Sequence, residues 1–247
     1  IIDDIKGLNA KVKLPLQIFS AVMAVAAGVR VHVAGAVMAA PDFAGYIDII
    51  FTVIWILAFM YAVNLIDGMD GLSSGLVMIA LIFFIAVGVQ SGNRMLTLSS
   101  VILLGSVTGF YIFNFPSAKI FLGDAGAYSI GFILAVLMPV SFSSDSDIRM
   151  ASVPAVIFLL PFLDVAQVIR KRCWLKKGIF SADNNHIHHK LLASGYSTRE
   201  VLRIMYPVAS IFGALGVLYW RNGSGFCAYL FLVTVVLAAL VLYRLSD

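Results

Sequence analysis

The sequence predicts an all-α fold, a polytopic transmembrane helix bundle of about eight spans in this chain. Three observations predict it. Hydrophobic residues make up 61% of the 247, and the mean hydropathy is +0.99. Charged residues make up only 12%, against roughly a quarter in a soluble domain that must coat its surface. The apolar residues also come in runs close to the ~20 that a helix needs to cross the hydrocarbon core. No stretch of ordinary soluble composition separates these runs, so residues 1–247 read as a single integral membrane domain.

The runs follow in order. The first, 14–36, comes after "DDIKGLNAKVK". The second, 44–63, ends in "IIFTVIWILAFMYAV" and leads straight into the polar turn "NLIDGMDGLSSG". Runs at 72–90 and 97–115 follow, the latter closing on Asn114. The fifth, 126–145, opens just after "FLGD", and the sixth, 150–169, stops at "RKR". Runs at 203–220 and 226–243 complete the eight. No repeat or low-complexity tract is present.

Charge orients the bundle. With residues 1–13 placed in the cytoplasm and the spans alternating, thirteen of the 17 Lys and Arg fall on the cytoplasmic side. Arg30, Arg94, Arg149 and Arg221 fall on the other, a positive-inside bias. The basic residues flank spans and form no separate patch, which argues against nucleic acid as a partner. Cys173 and Cys227 lie toward opposite faces and make no metal-type pair.

This topology collects the reactive groups on one face. Asp3 and Asp4, Asn64 with Asp67 and Asp70, Asp124, and His186, His188 and His189 are all cytoplasmic. Asp3 and Asp4 read either as a helix N-terminus or as a carboxylate pair that binds metal or activates a nucleophile. Asn64, Asp67 and Asp70 recur every third residue and can converge on one side of a helix; read plainly, they are an Asp-Gly turn. A calcium loop is excluded, because Met78 stands where an EF-hand needs Glu. In "FNFPSAKIFLGDAGAYSIGF", glycines flank Asp124 and permit close backbone approach to a phosphate, while one carboxylate can hold Mg²⁺. "FSADNNHIHHKL" holds three of the chain's 4 histidines. No HExxH or cysteine partner supports zinc, and a cationic or hydrogen-bonding cradle for a diphosphate fits the same residues. A carboxylate-rich site, a hard cation and histidines on one membrane face point to phosphoryl transfer at the bilayer surface.

Four blocks in order, "IIDDIKGLNAKVKLPLQ", "NLIDGMDGLSSG", "NFPSAKIFLGDAGAYSIG" and "PFLDVAQVIRKR…FSADNNHIHH", resemble the polyprenyl-phosphate N-acetylhexosamine-1-phosphate transferases, glycosyltransferase family 4. They span residue 1 to about 190. The resemblance implies that a polyprenyl phosphate, such as undecaprenyl phosphate, attacks the β-phosphate of a UDP-N-acetylhexosamine. UMP leaves and a lipid diphosphate sugar forms. It implies Mg²⁺, or Mn²⁺ in its place, on Asp124, and lipid-phosphate activation by Asp3 and Asp4. It places Lys13 near the phosphates, Asn64, Asp67 and Asp70 on the nucleotide side, and Asn114 before the Gly-Asp turn. His186, His188 and His189 fall in the loop that meets the diphosphate and sugar. "HIHH" is similar to the UDP-GlcNAc branch, whose members start O-antigen, enterobacterial common antigen and teichoic-acid linkage units. The peptidoglycan branch, which uses UDP-MurNAc-pentapeptide, more often carries an unbroken histidine triplet. The expected setting is the bacterial cytoplasmic membrane, multi-pass, with the active site facing the cytoplasm and a homodimer as one candidate assembly. The family's acidic pair follows further N-terminal spans, so the chain is expected to lack them. Ala127 stands where the family commonly has Ser.

Two readings of other classes compete. An intramembrane aspartyl protease carries a Gly-x-Gly-Asp turn, and Phe121 occupies its first Gly position here. A cation transporter needs carboxylates at the midplane of its spans, and Asp164 is the one candidate this reading finds. The topology is directly testable. Single cysteines at 94 and 221 should react with an impermeant thiol reagent applied to intact cells, and a cysteine at 188 should not; labelling at 188 overturns the orientation.

Overall fold

The computed structural model describes residues 10–33, 41–142, 149–174 and 186–222, and all regular structure among them is helical. In chain order the helices are α1 (Ala10–Ala26), α2 (Pro41–Ile66), α3 (Leu72–Gln90), α4 (Arg94–Asn114), α5 (Gly123–Ser141), α6 (Arg149–Ile157), α7 (Leu159–Trp174), α8 (Ile187–Ala193) and α9 (Thr198–Asn222). Five of them, α2 from Phe43 onward and the whole of α3, α4, α5 and α9, are long and apolar enough to cross a membrane, and α1 is a shorter apolar helix. The chain is a multi-pass membrane protein. The run at 226–243 lies outside the described residues, as do Asp3 and Asp4.

Two predicted spans take a different form. The first stops at Ala26 instead of continuing to 36. Gly28 adopts φ +97°, a left-handed conformation that closes a helix, and the Gly28 and Val29 N–H groups bond back to Val25 and Ala24. Residues 29–33, "VRVHV", then alternate as an extended segment does, with Val31 and Val33 buried. α2 supplies the missing backbone partners. Val31 N–H donates to Thr52 Oγ1 at 2.9 Å and Val33 N–H to Asp48 Oδ1 at 2.9 Å. Asp48 Oδ2 lies 2.9 Å from His32 Nδ1. Asp48 is an acid inside a predicted span, 7% exposed, so Asp164 is not the only intramembrane candidate. Its carboxylate satisfies backbone that lipid cannot.

The second difference is the run at 150–169, which is two helices broken at Phe158. Pro161 has no N–H to offer the Ile157 carbonyl, and its ring crowds that turn. The break turns Phe158 and Phe162 toward Phe59 of α2, with ring centroids 5.4 and 4.9 Å from it.

Small residues set the closest helix contacts, as expected where lipid supplies no hydrophobic drive between helices. A Cβ on Gly131 of α5 would lie 2.6 Å from the Met60 Cα of α2, and the Trp55 indole reaches across the same contact to the Ala135 carbonyl at 3.0 Å. α3 and α4 form a hairpin in which Gly88 backs onto Thr97. Asn93 caps α4 through Leu96 N–H and donates to the Ser141 carbonyl at the end of α5. α9 crosses α3 and α6 at Gly213, against Phe83, and at Gly216, against Ile157. α4 presents Leu98, Ile102, Ile112 and Phe113 outward. Replacing Gly131 with Val should therefore separate α2 from α5 and lower stability by about 1–3 kcal/mol. Gly105→Ala on the open face of α4 should not, since nothing lies within 4 Å of its added Cβ. Thermal unfolding in detergent checks both, and equal midpoints would remove the close contact.

Candidate active site

Three helix ends meet at one end of the bundle. Lys13, near the start of α1, places Nζ 2.6 Å from Asp124 Oδ2. Asn64, at the end of α2, donates through Nδ2 to Asp124 Oδ1 at 3.0 Å. Tyr128, one turn after Asp124 on α5, donates its hydroxyl to Asn64 Oδ1 at 3.1 Å. The predicted residues Lys13, Asn64 and Asp124 thus form one connected cluster, and Tyr128 joins it.

Asp67 stands beside this cluster in the α2–α3 turn and accepts a hydrogen bond from Ser73 Oγ. Burial raises its pKa from the ordinary carboxylate range to about 6, the Ser73 bond opposes that rise, and the nearby Asp124 charge adds to it. Asp67 and Asp124 are therefore two acids close enough to repel.

Asp70 and Asn114 tie two loops together in the same region. Asp70 Oδ2 accepts the Ala118 N–H at 3.0 Å. Asn114 Oδ1 accepts from Gly71 N–H and Ser74 Oγ, each at 3.0 Å, and its Nδ2 donates to the Ile120 carbonyl. Together they fasten the loop between α4 and α5 to the α2–α3 turn. Gly71 permits the latch, because its φ of +75° is open to glycine at no steric cost. α9 holds both loops from outside: the Tyr206 hydroxyl donates to the Gly71 carbonyl at 2.6 Å, and Arg199 donates to the Pro116 carbonyl at 3.2 Å.

The histidines cover the acidic turn. A Cβ on Gly68 would lie 2.8 Å from His188 Nε2 and 3.7 Å from His189 Nε2, so the absence of a side chain at 68 is what admits them. The three imidazoles cluster: His186 and His188 stack, and His189 is tilted against His188 with centroids 4.2 Å apart. His188 is fully buried and neither ring nitrogen has a hydrogen-bond partner. Burial, with the neighbouring His189 second, lowers its pKa to about 4, and His189 is lowered by the same first cause. The cradle that the sequence left open as cationic or hydrogen-bonding has a neutral His188 at pH 7, able to donate from one nitrogen and accept at the other.

His186 owes its place to Asp164 on α7. His186 Nδ1 lies 2.8 Å from Asp164 Oδ2, and Ile187 N–H donates to Asp164 Oδ1 at 2.8 Å. The carboxylate fixes Nδ1 as the protonated nitrogen and anchors the start of α8. Sequence reading weighed Asp164 only for a transporter; its place in the "PFLDVAQVIRKR" block, ahead of the histidines, was the available signal. Tyr128 and Ser73 were also missed, although each lies within two turns of a flagged acid.

The family model for glycosyl transferase family 4 matches residues 1–141. Over 214 residues the chain is 36% identical to a probable undecaprenyl-phosphate N-acetylglucosaminyl 1-phosphate transferase of Bacillus subtilis, covering 86% of this chain and 60% of that protein. It is 34% identical over 248 residues to a decaprenyl-phosphate N-acetylglucosaminephosphotransferase of Mycobacterium tuberculosis (90% and 61% covered). It is 31% identical over 169 residues to a phospho-N-acetylmuramoyl-pentapeptide-transferase of Staphylococcus carnosus (68% and 51% covered). The chain spans about three fifths of the length of the first two.

Two substitutions separate the anchor from the cradle. Asp164→Asn removes the charge that holds His186 and is expected to lower the thermal midpoint, because truncating a buried hydrogen-bonded pair costs about 3–5 kcal/mol. Asp67→Asn removes a buried charge that the fold disfavours while keeping an acceptor for Ser73, and should hold or raise the midpoint in EDTA. Reversed midpoints would overturn these placements.

Proposed function

The chain belongs to glycosyl transferase family 4, and on that premise we propose that it transfers N-acetylhexosamine-1-phosphate, GlcNAc-1-phosphate in the first instance, from a UDP-sugar to a polyprenyl phosphate. The observation that carries the reading is the convergence of separate segments, around residues 13, 64–73, 124–128 and 186–189, on one end of the bundle. A phosphate oxygen of the lipid attacks the β-phosphorus of the UDP-sugar. The bond from that phosphorus to the α–β bridging oxygen breaks, and UMP leaves with the oxygen.

The residues divide the work. Lys13 offers positive charge next to the Asp124 carboxylate, where the phosphates are proposed to meet. His188 offers an uncommitted neutral donor over the acidic turn. Asp3 and Asp4, outside the described residues, are assigned the lipid phosphate. Asp67 and Asp124 suit Mg²⁺ or Mn²⁺: they are hard oxygen donors that repel each other, and a cation relieves that repulsion. Among the described residues no group of three His, Cys, Asp or Glu forms a metal cage. That is the expected pattern for Mg²⁺, which uses one or two carboxylates and leaves its other positions to water and substrate phosphates. When bound, it would withdraw charge from the diphosphate and the departing UMP.

The N-acetylglucosaminyl relatives favour UDP-GlcNAc, and the Staphylococcus carnosus relative keeps UDP-MurNAc-pentapeptide as the second reading. The proposed setting is the bacterial cytoplasmic membrane with this end of the bundle in the cytoplasm. A homodimer remains a candidate assembly; α4 supports it with Gly105 and Gly109 open on an exposed apolar helix. Asp48 and Asp164 give a transporter little support, since both are tied to backbone N–H groups and a histidine.

UMP release from UDP-GlcNAc with undecaprenyl phosphate and Mg²⁺, measured on the chain joined to the segments its relatives carry, tests the reaction. Asp124→Asn should lower the rate by at least about a hundredfold, the several kcal/mol that a catalytic metal supplies, with the chain still folded and its unfolding midpoint lowered only by the loss of a partly exposed ion pair, about 1 kcal/mol. A near-parent rate would move the metal to other residues.

A further inference from the structure

Asn64 is bracketed by two residues of a single helix. Asp124 and Tyr128 lie four positions apart on α5, so they share a face one turn apart. The Asn64 amide, coming from the end of α2, spans them. Its Nδ2 donates to Asp124 Oδ1 at 3.0 Å, and its Oδ1 accepts from the Tyr128 hydroxyl at 3.1 Å. A primary amide carries a donor and an acceptor, and each finds its complement here.

Tyr128 is itself held from two sides. Its ring meets Tyr61 of α2 edge to face, with centroids 5.9 Å apart. The Gln17 side chain of α1 hydrogen-bonds to it. The Asp124 side chain, by contrast, is 35% exposed, with Lys13 on Oδ2 and Asn64 on Oδ1. An amide oxygen is a hard donor in its own right. With Oδ1 taken by Tyr128, Asn64 serves the carboxylate as a donor and does not turn that oxygen toward a cation.

We propose that Tyr128 is a positioning residue for the Asp124 carboxylate. By occupying Asn64 Oδ1 it fixes the amide as a donor to Asp124, and so sets how that carboxylate is presented to a divalent cation. The inference rests on the cation reading above and adds to it a residue that acts through Asn64.

Tyr128→Phe deletes the hydroxyl and keeps the ring on Tyr61. Mn²⁺ alone is the probe, titrated by electron paramagnetic resonance into the chain joined to the segments its relatives carry. Asn64→Ala should weaken Mn²⁺ binding about tenfold, as loss of an outer partner of a metal ligand does, and Tyr128→Phe about three- to tenfold. The double variant should bind no more weakly than Asn64→Ala, because the hydroxyl then has nothing left to orient. UMP release by Tyr128→Phe should fall in step and recover as Mg²⁺ is raised. Unchanged Mn²⁺ affinity in Tyr128→Phe, with or without a lowered thermal midpoint, would overturn the proposal, since a merely structural tie moves only the midpoint. So would losses that add in the double variant, or a parent that binds no Mn²⁺. If the parent releases no UMP but its Mn²⁺ affinity shows this coupling, the transferase reading falls and the positioning role stands.

Discussion

The bonds to Asp124 are the constraint on which this end of the molecule depends. One carboxylate joins α1 through Lys13 and α2 through Asn64, while belonging to α5. The Tyr128–Asn64 bond adds a second tie between α5 and α2. Three helices that share no sequence neighbourhood are thereby held at fixed separation. The same pair, α2 and α5, is in backbone contact at Gly131 against Met60, so the polar cluster sits on two closely packed helices. A site built on helix ends in this way is rigid before any substrate arrives.

The polar groups of the bundle fall into two sets. Asp48, Asp70, Asn114 and Asp164 accept hydrogen bonds from backbone N–H groups, and each holds an irregular segment in place. In lipid such segments need internal partners, which explains acids and amides in so apolar a chain. Asp67 and His188 form the other set. Asp67 is an acid whose charge the surroundings disfavour; His188 is a buried polar side chain whose ring nitrogens have no hydrogen-bond partner. Both lie at the end of the bundle where Asp124 sits. Stability alone would favour apolar residues there, so their presence is what a binding site asks for.

Helix existence was legible from the run lengths, because hydrocarbon thickness fixes how many apolar residues a span contains. The misjudged boundaries at 14–36 and 150–169 have local causes that hydropathy does not weigh. One is a left-handed Gly28 followed by a two-residue alternation, and the other is Pro161. At the site, charge and spacing made Asp67, Asp124 and the histidines visible, and the family resemblance pointed to Lys13. Asp164 and Tyr128 were not singled out for the site, since each acts through a neighbour distant in sequence. Asp70 and Asn114, singled out for chemistry, also form the latch between two loops, a role that spacing alone does not show.

The electrostatics of the end region also bear on the order in which a diphosphate could be accommodated. Asp67 and Asp124 repel one another, and Lys13 contacts Asp124. His188 adds no charge, because burial keeps it neutral, and burial lowers the pKa of His189 as well. A nucleotide sugar brings two further negative charges on its diphosphate. Among the described residues one lysine meets two carboxylates here, an imbalance that a diphosphate would deepen and that the proposed divalent cation would relieve. His188, a donor without its own charge, can add a hydrogen bond at close range without repelling such a cation.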